Sequence, residues 1–148
     1  MNKITAIRAF ASLVLNEKVI IPRHRSEYDN QWGMVMNASM PRLVIPPVFT
    51  AKTDKNDRLF RSNFVGRCPH ARGFSNATLS ILHECGHWAT KELFDMHDYC
   101  RQLYQCNSQE DYMNITYEYM ATDWAIDWLE NKDNRKLAKR FEKDFFGY

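Results

Sequence analysis

Five consecutive residues near the middle of the chain, His83-Glu84-Cys85-Gly86-His87, constrain its fold more than any other segment. In a helix, residues i and i+4 share one face, so both imidazoles of this HExxH sequence can reach one metal ion. Glu84 lies beside them and suits a general base that takes a proton from metal-bound water. The alternative is an ordinary pair of surface histidines, and chance gives about one HExxH per hundred chains of this composition. We therefore expect a helix that carries a metal centre.

The glycine inside this motif supports the metal interpretation. Glycine in a helix interior costs about 1 kcal/mol relative to alanine. One reason to keep it is the close approach of another element or of a substrate. We therefore expect something to pack tightly against the helix at Gly86.

A catalytic zinc ion takes three protein ligands and leaves one position open for water, and Glu118 is the candidate for the third. It lies in a predicted helix that is otherwise almost wholly apolar, where a buried carboxylate is costly unless something pairs with it. A solvent-facing glutamate and a buried salt bridge are the alternatives. Asp123 and Asp127 are rival ligands, but they lie about 140° and about 180° around the helix from Glu118.

The composition indicates a single globular domain over residues 1–148. The chain is 45% hydrophobic and 14% aromatic, which excludes a largely disordered protein. Its net charge of +2 is too balanced for an obligate nucleic-acid coat. The apolar stretches are too short to span a membrane and no secretory signal is recognisable, so we expect a cytoplasmic protein.

The cysteines are expected to be reduced thiols, since no export signal supports disulfides. They are Cys68, Cys85, Cys100 and Cys106, and no two of them form a CxxC pair. The segment Cys68-Pro69-His70 offers two further metal ligands, but we favour an ordinary loop there.

The remaining pattern predicts an α+β domain, in which a helix and short strands precede a helical C-terminal half. The first predicted helix covers 3–17, and a second begins at Ala77 after a cap at Ser75 or Asn76. A capping box that starts at Ser108 predicts a long helix over 110–130. The last predicted helix runs from a cap at Asp133 or Asn134 to Phe146. The predicted extended runs are Trp32–Met36, Arg42–Val48 and, within a polar loop at 51–73, Leu59–Val65. Prolines around the second run favour an edge strand. Trp88, Trp124 and Trp128 are expected in the core or in pocket walls.

An HExxH followed by a glutamate on a later helix resembles the gluzincin group of zinc metallopeptidases. The segment Glu118–Ala125 is similar to the glutamate helix of ImmA/IrrE-type peptidases, which reads E-x-x-A-N-x-F-A. The match holds at Glu118, Ala121 and Ala125. Thr122 stands where those proteins have Asn or Asp, so Thr122 or the neighbouring Asp123 would supply the hydrogen bond that orients a histidine ligand.

The metallopeptidase domain of ArdC-type antirestriction proteins is equally similar. It combines an extended I-x-x-P segment, a T-L-x-H-E-x-x-H-W-T helix and a tyrosine ahead of E-E-x-x-A-E. Leu43–Phe49, Ala77–Thr90 and Tyr117-Glu118 correspond to these in this chain. Residues 52–73 form an insertion relative to that pattern, and Tyr119 replaces the second glutamate. The resemblance covers roughly residues 41–130.

Both resemblances imply a small zincin-like domain in which an active-site helix precedes a glutamate-bearing helix. His83, His87 and Glu118 would hold Zn²⁺, and Glu84 would be the base that hydrolyses a peptide bond. The edge strand Arg42–Val48 would align a protein or peptide substrate. Phage or mobile-element counter-defence, or regulation, is the implied setting. Zincins usually add a group that stabilises the oxyanion, and the candidates are Tyr112, Tyr117, His97 and His70.

A second hypothesis belongs to a different class: a zincin-fold protein that binds a host factor or nucleic acid without proteolysis. The basic residues of 52–73 and of the last helix favour a nucleic-acid contact. We favour an ordinary solvated charged face for both segments, because acidic residues dilute the last helix. The presence of Glu84 argues for an enzyme, because a metal-binding scaffold needs only the ligands.

Overall fold

The structure is a computed structural model that describes residues 2–22, 31–46 and 55–147. Its helices are α1 (Lys3–Leu15), α2 (Lys55–Arg67), α3 (Asn76–Ala89), α4 (Met96–Tyr104), α5 (Gln109–Met113), α6 (Thr116–Leu129) and α7 (Lys132–Phe146). Its strands are β1 (Gly33–Val35) and β2 (Arg42–Val44), which pair antiparallel. This confirms the predicted α+β class. No helix in the described ranges combines the length and the apolar character that crossing a bilayer requires.

Helix α3 lies at the centre of the fold, packed against α1, α2, α6 and β1. Ser75 caps it, as one of the two predicted alternatives, by accepting the Thr78 N–H. A buried carboxylate on α7 completes this end: Glu142 Oε2 accepts the Ser75 N–H at 2.8 Å and the Thr78 hydroxyl at 3.1 Å. The N-terminus of α3 is therefore fixed by the last helix of the chain, which suits the positive end of the helix dipole.

The closest packing in the fold occurs where α6 crosses α3. A Cβ atom added at Gly86 would lie 2.3 Å from the carbonyl oxygen of Ala121 and 2.9 Å from its Cα. No larger residue fits there unless the backbone of α6 moves. The expectation that Gly86 permits a close approach is confirmed.

The hydrophobic core continues from α3 to α1 and α7. Phe10 stacks on Phe141 with ring centroids 4.5 Å apart and meets Trp128 edge to face. Trp88 is buried and donates its indole N–H to Glu17 at 3.1 Å, while Trp124 packs against the same core. The predicted core role of the tryptophans is confirmed. All four cysteines are free thiols, also as expected.

Strand β2 lies at an edge of the two-stranded sheet, as predicted for 42–48, but an isolated bridge from Ile20 covers its outer side at Arg42. Ile20 donates its N–H to the Pro41 carbonyl and accepts the Leu43 N–H, both at 2.9 Å. Pro41 needs no N–H for this pairing because it contributes only its carbonyl. The free edge among the described residues belongs to β1, and residues 47 and 48 lie outside the described ranges.

The strand predicted at Leu59–Val65 is also wrong, since α2 occupies these positions. Phe60 and Phe64 lie one turn apart and contact edge to face at 5.8 Å, and Phe64 is fully buried. Arg61 ties the helix to the start of α3 through the Phe74 carbonyl at 2.7 Å and the Asn76 amide oxygen at 3.0 Å. One buried and one partly buried ring at helical spacing outweigh the weak strand pattern.

The helix predicted over 110–130 consists of two helices, with Ser108 capping α5 as predicted. Asn114 and Ile115 separate α5 from α6, and Gln102 accepts the Thr116 N–H at the start of α6. Helix α7 begins two or three residues earlier than expected, because Asn131 caps it instead of Asp133 or Asn134. The first helix ends at Leu15 and not at residue 17, since Asn16 takes the left-handed conformation with φ 50°.

Replacing Gly86 by alanine should destabilise the fold, because the new methyl group must displace the backbone of Ala121. We expect a loss of about 1–3 kcal/mol in the free energy of unfolding in urea. Gly66→Ala is the matched control, since Gly66 is also helical and no atom lies within 4 Å of its added Cβ. That control should be neutral or gain up to about 1 kcal/mol. Equal losses in both variants would contradict the close approach.

Candidate metal centre

Helix α3 presents both motif histidines to α6. Their rings lie 4.8 Å apart and nearly perpendicular. The ligating atoms of His83, Glu84 and His87 all lie within 4.8 Å of one another. This group could therefore hold a metal ion, which supports the expected metal-binding helix but does not identify the ion.

Glu118 reaches the same point from the first turn of α6. Its Oε1 atom lies 3.0 Å from His83 Nε2 and 3.1 Å from His87 Nε2. The residue is only 6% exposed, so the solvent-facing alternative is wrong. The fold thus brings together all four residues that the sequence singled out, two imidazoles and two carboxylates in one buried space.

The charges in this space influence one another strongly. Burial acts to raise the pKa of the Glu118 carboxyl, but the hydrogen bonds from both histidines outweigh it and hold that pKa far below its usual range. Burial acts to lower the pKa of His87, yet its hydrogen bond to Glu118 and the nearby carboxylates raise it. Burial also raises the pKa of Glu84, against the effect of the two histidines. A buried site with two carboxylates is suited to a cation.

Thr122 orients the first histidine. Its Oγ1 atom lies 2.9 Å from His83 Nδ1, which turns Nε2 of that ring toward Glu118. Asp123 points the other way: its side chain is 67% exposed and pairs with Arg67 at 2.7 Å. Thr122, and not Asp123, therefore supplies the histidine's hydrogen-bond partner, and the rival ligands Asp123 and Asp127 are exposed and turned away.

Tyr99 is a residue of this site that the sequence analysis missed. Its hydroxyl donates to Glu118 Oε2 at 3.2 Å and lies 3.4 Å from the Tyr112 hydroxyl. Burial and the Glu118 charge raise its pKa, and burial raises the pKa of Tyr112 to about 12. Both phenols therefore stay protonated and can donate hydrogen bonds. Tyr99 lies on α4, outside every recognised motif, so no local signal points to it.

Of the four oxyanion candidates, only Tyr112 lies at the centre, where it lines the same cavity as His83 and Glu118. Tyr117 instead donates its hydroxyl to Asp98 at 2.8 Å. His97 is exposed on α4, two residues from Tyr99 and hence on the opposite side of that helix. His70 lies 3.9 Å from Glu130, beyond the C-terminus of α6.

Cys68 and His70 both lie near Glu130, but they do not belong to the group of ligand atoms that converges in the described ranges. Cys68 Sγ lies 4.0 Å from one oxygen of Glu130, and His70 Nε2 lies 3.9 Å from the other. Within the described ranges, the HExxH residues are the group of three or more potential ligands that converges.

A cavity of about 40 Å³ opens beside His83 and Glu118. Helices α2 and α5 form its outer walls, through Phe60, Asn63, Gln109, Tyr112 and Met113. A larger hollow of about 290 Å³ lies next to β2. It includes neither histidine nor carboxylate, so we assign the chemistry to the smaller cavity.

Compared with protein-family models, with curated proteins and with solved structures, the chain has no match. The resemblances to ArdC-type and ImmA/IrrE-type domains therefore stay predictions from the motifs.

Thr122→Val should weaken metal binding while preserving the shape of the side chain, because it removes the hydrogen-bond partner of His83. We expect the affinity for Zn²⁺, measured by competition with a chelator, to fall about 10- to 100-fold. Asp123→Asn is the control, since it changes an exposed neighbour that pairs away from the site. An unchanged affinity in Thr122→Val would show that the ring needs no such partner.

Proposed function

We propose that this protein is a zinc metallopeptidase in which His83, His87 and Glu118 hold Zn²⁺ and Glu84 is the general base. The observation that carries the proposal is the convergence of two imidazole Nε2 atoms on one carboxylate oxygen, at 3.0 and 3.1 Å, contributed by a different helix. Two histidines and a glutamate form a donor set that suits zinc and leaves a fourth position for water.

The surroundings of the two carboxylates support different roles for them. Glu118 accepts a hydrogen bond from the Tyr99 hydroxyl, and the two neighbouring histidines lower its pKa, so this carboxyl group is ionised as a ligand should be. Glu84 is buried next to His83, and its raised pKa favours taking up a proton. His83 would bind through Nε2 with its proton on Nδ1, donated to Thr122.

The reaction follows from these roles. When bound, zinc would lower the pKa of water and polarise the scissile carbonyl. Glu84 accepts the proton of the attacking water and returns it to the nitrogen of the leaving amine. Tyr112 lines the cavity and can donate its hydroxyl to the oxyanion, supported by the neighbouring Tyr99 hydroxyl.

The free edge of β1 supports a peptide substrate. Leu43 donates its N–H to Ile20, so Arg42 and Val44 form the hydrogen-bonded pairs with β1. Met34, opposite Leu43, therefore points its N–H and carbonyl away from β2. Because β1 packs against α3, an extended peptide added at this edge would run beside the metal helix. This edge replaces 42–48 as the proposed substrate strand.

The alternative is a zincin-fold protein that binds a host factor or nucleic acid. The basic residues that suggested this alternative give it little support in the structure. Arg61 bonds to backbone at the start of α3, and Arg67 pairs with Asp123. Lys139 donates to the Gly73 carbonyl. These side chains serve the fold, so we give the peptidase precedence. A cytoplasmic setting and a role in counter-defence or regulation stay predictions from the motifs.

Metal content tests the ligand set first. Protein purified without chelator or histidine tag should contain one zinc per chain by mass spectrometry, and Glu118→Ala should lower that occupancy well below the unmodified level. Asp127→Ala is the matched control, since Asp127 is an exposed carboxylate on the same helix. Full occupancy in Glu118→Ala would move the third ligand elsewhere.

Glu84→Gln separates the peptidase from the binding protein. The variant should keep its zinc but lose hydrolysis of unfolded casein by at least about 100-fold, because the general base is gone. The Glu92→Gln variant, at an exposed site beyond the motif helix, should retain full activity. Unimpaired hydrolysis in Glu84→Gln would overturn the assigned role of the base. If the unmodified, zinc-loaded protein cuts nothing, the binding alternative leads.

A further inference from the structure

The walls of the cavity beside the metal centre carry two carboxamides that hydrogen-bond to no described residue. Asn63 on α2 and Gln109 at the start of α5 both line it, and neither side chain hydrogen-bonds to any residue that the structure describes. A carboxamide has both a donor and an acceptor, which match the carbonyl and N–H of a peptide bond. Free amides beside a reactive centre are therefore suited to hold a peptide backbone.

The size of the cavity restricts what else can enter. Its volume of about 40 Å³ is room for about three water molecules, since each needs about 10–15 Å³ on this measure. Phe60 and Met113 form its apolar walls, and the Phe60 ring is fixed edge to face against His83 with centroids 5.6 Å apart. The methyl group of alanine fits this space easily, whereas the four carbons of a leucine side chain exceed it.

The charge of the cavity walls restricts the side chain that can enter as well. Among the described residues that line the cavity, the only carboxylate is Glu118, which both histidines already engage, and no lysine or arginine is present. An acidic side chain would find no cation there apart from the metal, and a basic one would find no free carboxylate. The cavity therefore disfavours charged side chains of either sign.

We propose that this cavity binds an uncharged residue with a small side chain, glycine or alanine, next to the scissile bond, while Asn63 and Gln109 hold the adjoining backbone. The inference rests on the proposed peptidase function and specifies its substrate. Phe60 and Asn63 belong to the 52–73 segment that departs from the resembled ArdC pattern, so this specificity comes from residues particular to this chain.

Hydroxamates test the proposal because they bind a catalytic metal without being cleaved. The probes are acetyl-glycyl dipeptide hydroxamates with Gly, Ala, Leu, Lys or Glu before the hydroxamate, titrated into zinc-loaded protein by calorimetry. We expect the Gly and Ala probes to bind at least about tenfold more tightly than the others, since one excess methylene alone can cost that factor. Equal binding of the Leu and Ala probes would overturn the proposal.

Variants of the walls give a second test. Met113→Ala should enlarge the cavity and remove most of the discrimination against the Leu probe. Asn63→Ala and Gln109→Ala should each weaken the Ala probe about three- to tenfold. Gln105→Ala, which removes an exposed carboxamide at the end of α4, is the matched control and should change nothing. Zinc occupancy and urea unfolding are measured for each variant, so loss of metal or of folding is recognised separately.

Acetohydroxamate distinguishes this proposal from the peptidase proposal, since it carries the metal-binding group without the peptide backbone that Asn63 and Gln109 would hold. If acetohydroxamate binds and the wall variants leave the probe affinities unchanged, the substrate assignment is wrong and the metal centre stands. If the protein neither retains zinc nor binds acetohydroxamate, the proposed function fails and the substrate assignment fails with it.

Discussion

The close packing of α3 against α6 is the contact on which the rest of the structure depends. One face of α6 presents Glu118, Ala121 and Thr122 to α3, because these residues are three and four positions apart. Ala121 lies against Gly86, and the polar residues on either side of it meet the histidines. The small residues therefore set the distance between the helices, and that distance sets the geometry of the polar group.

Burial makes this arrangement specific as well as costly. Charged groups removed from water need partners, and here the two helices supply them to each other. The described residues contain no buried side-chain nitrogen or oxygen that lacks a hydrogen bond. The histidines and Glu118 are consequently oriented before any ion arrives, so binding need not order them. Tyr99, on a third helix, also helps to fix the Glu118 carboxylate, because its hydroxyl donates to Oε2 while His83 contacts Oε1.

The sequence predicted the centre better than its surroundings. His83, Gly86 and His87 could be interpreted locally, because helical spacing brings them to one face of α3. Glu118 could be predicted because it is a lone carboxylate in an otherwise apolar segment. Helix α2 was mistaken for a strand because Leu59–Val65 is short and has an apolar pair at each end, a pattern that does not distinguish the helical period from the strand period. Tyr99 and the pairing of Ile20 with β2 depend on contacts between distant segments, which no periodicity encodes. The cavity walls were missed for the same reason.

The position of Glu142 on α7 has a consequence for how the protein is made. Helix α3 receives its N-terminal carboxylate from α7, and Glu142 lies 64 residues beyond Thr78 in the chain. A growing polypeptide on the ribosome therefore exposes the HExxH segment before that partner has been made. Until α7 has emerged, the N-terminal turn of α3 lacks the group that fixes it. The helix that carries both histidines is in this sense completed only after translation has passed α7.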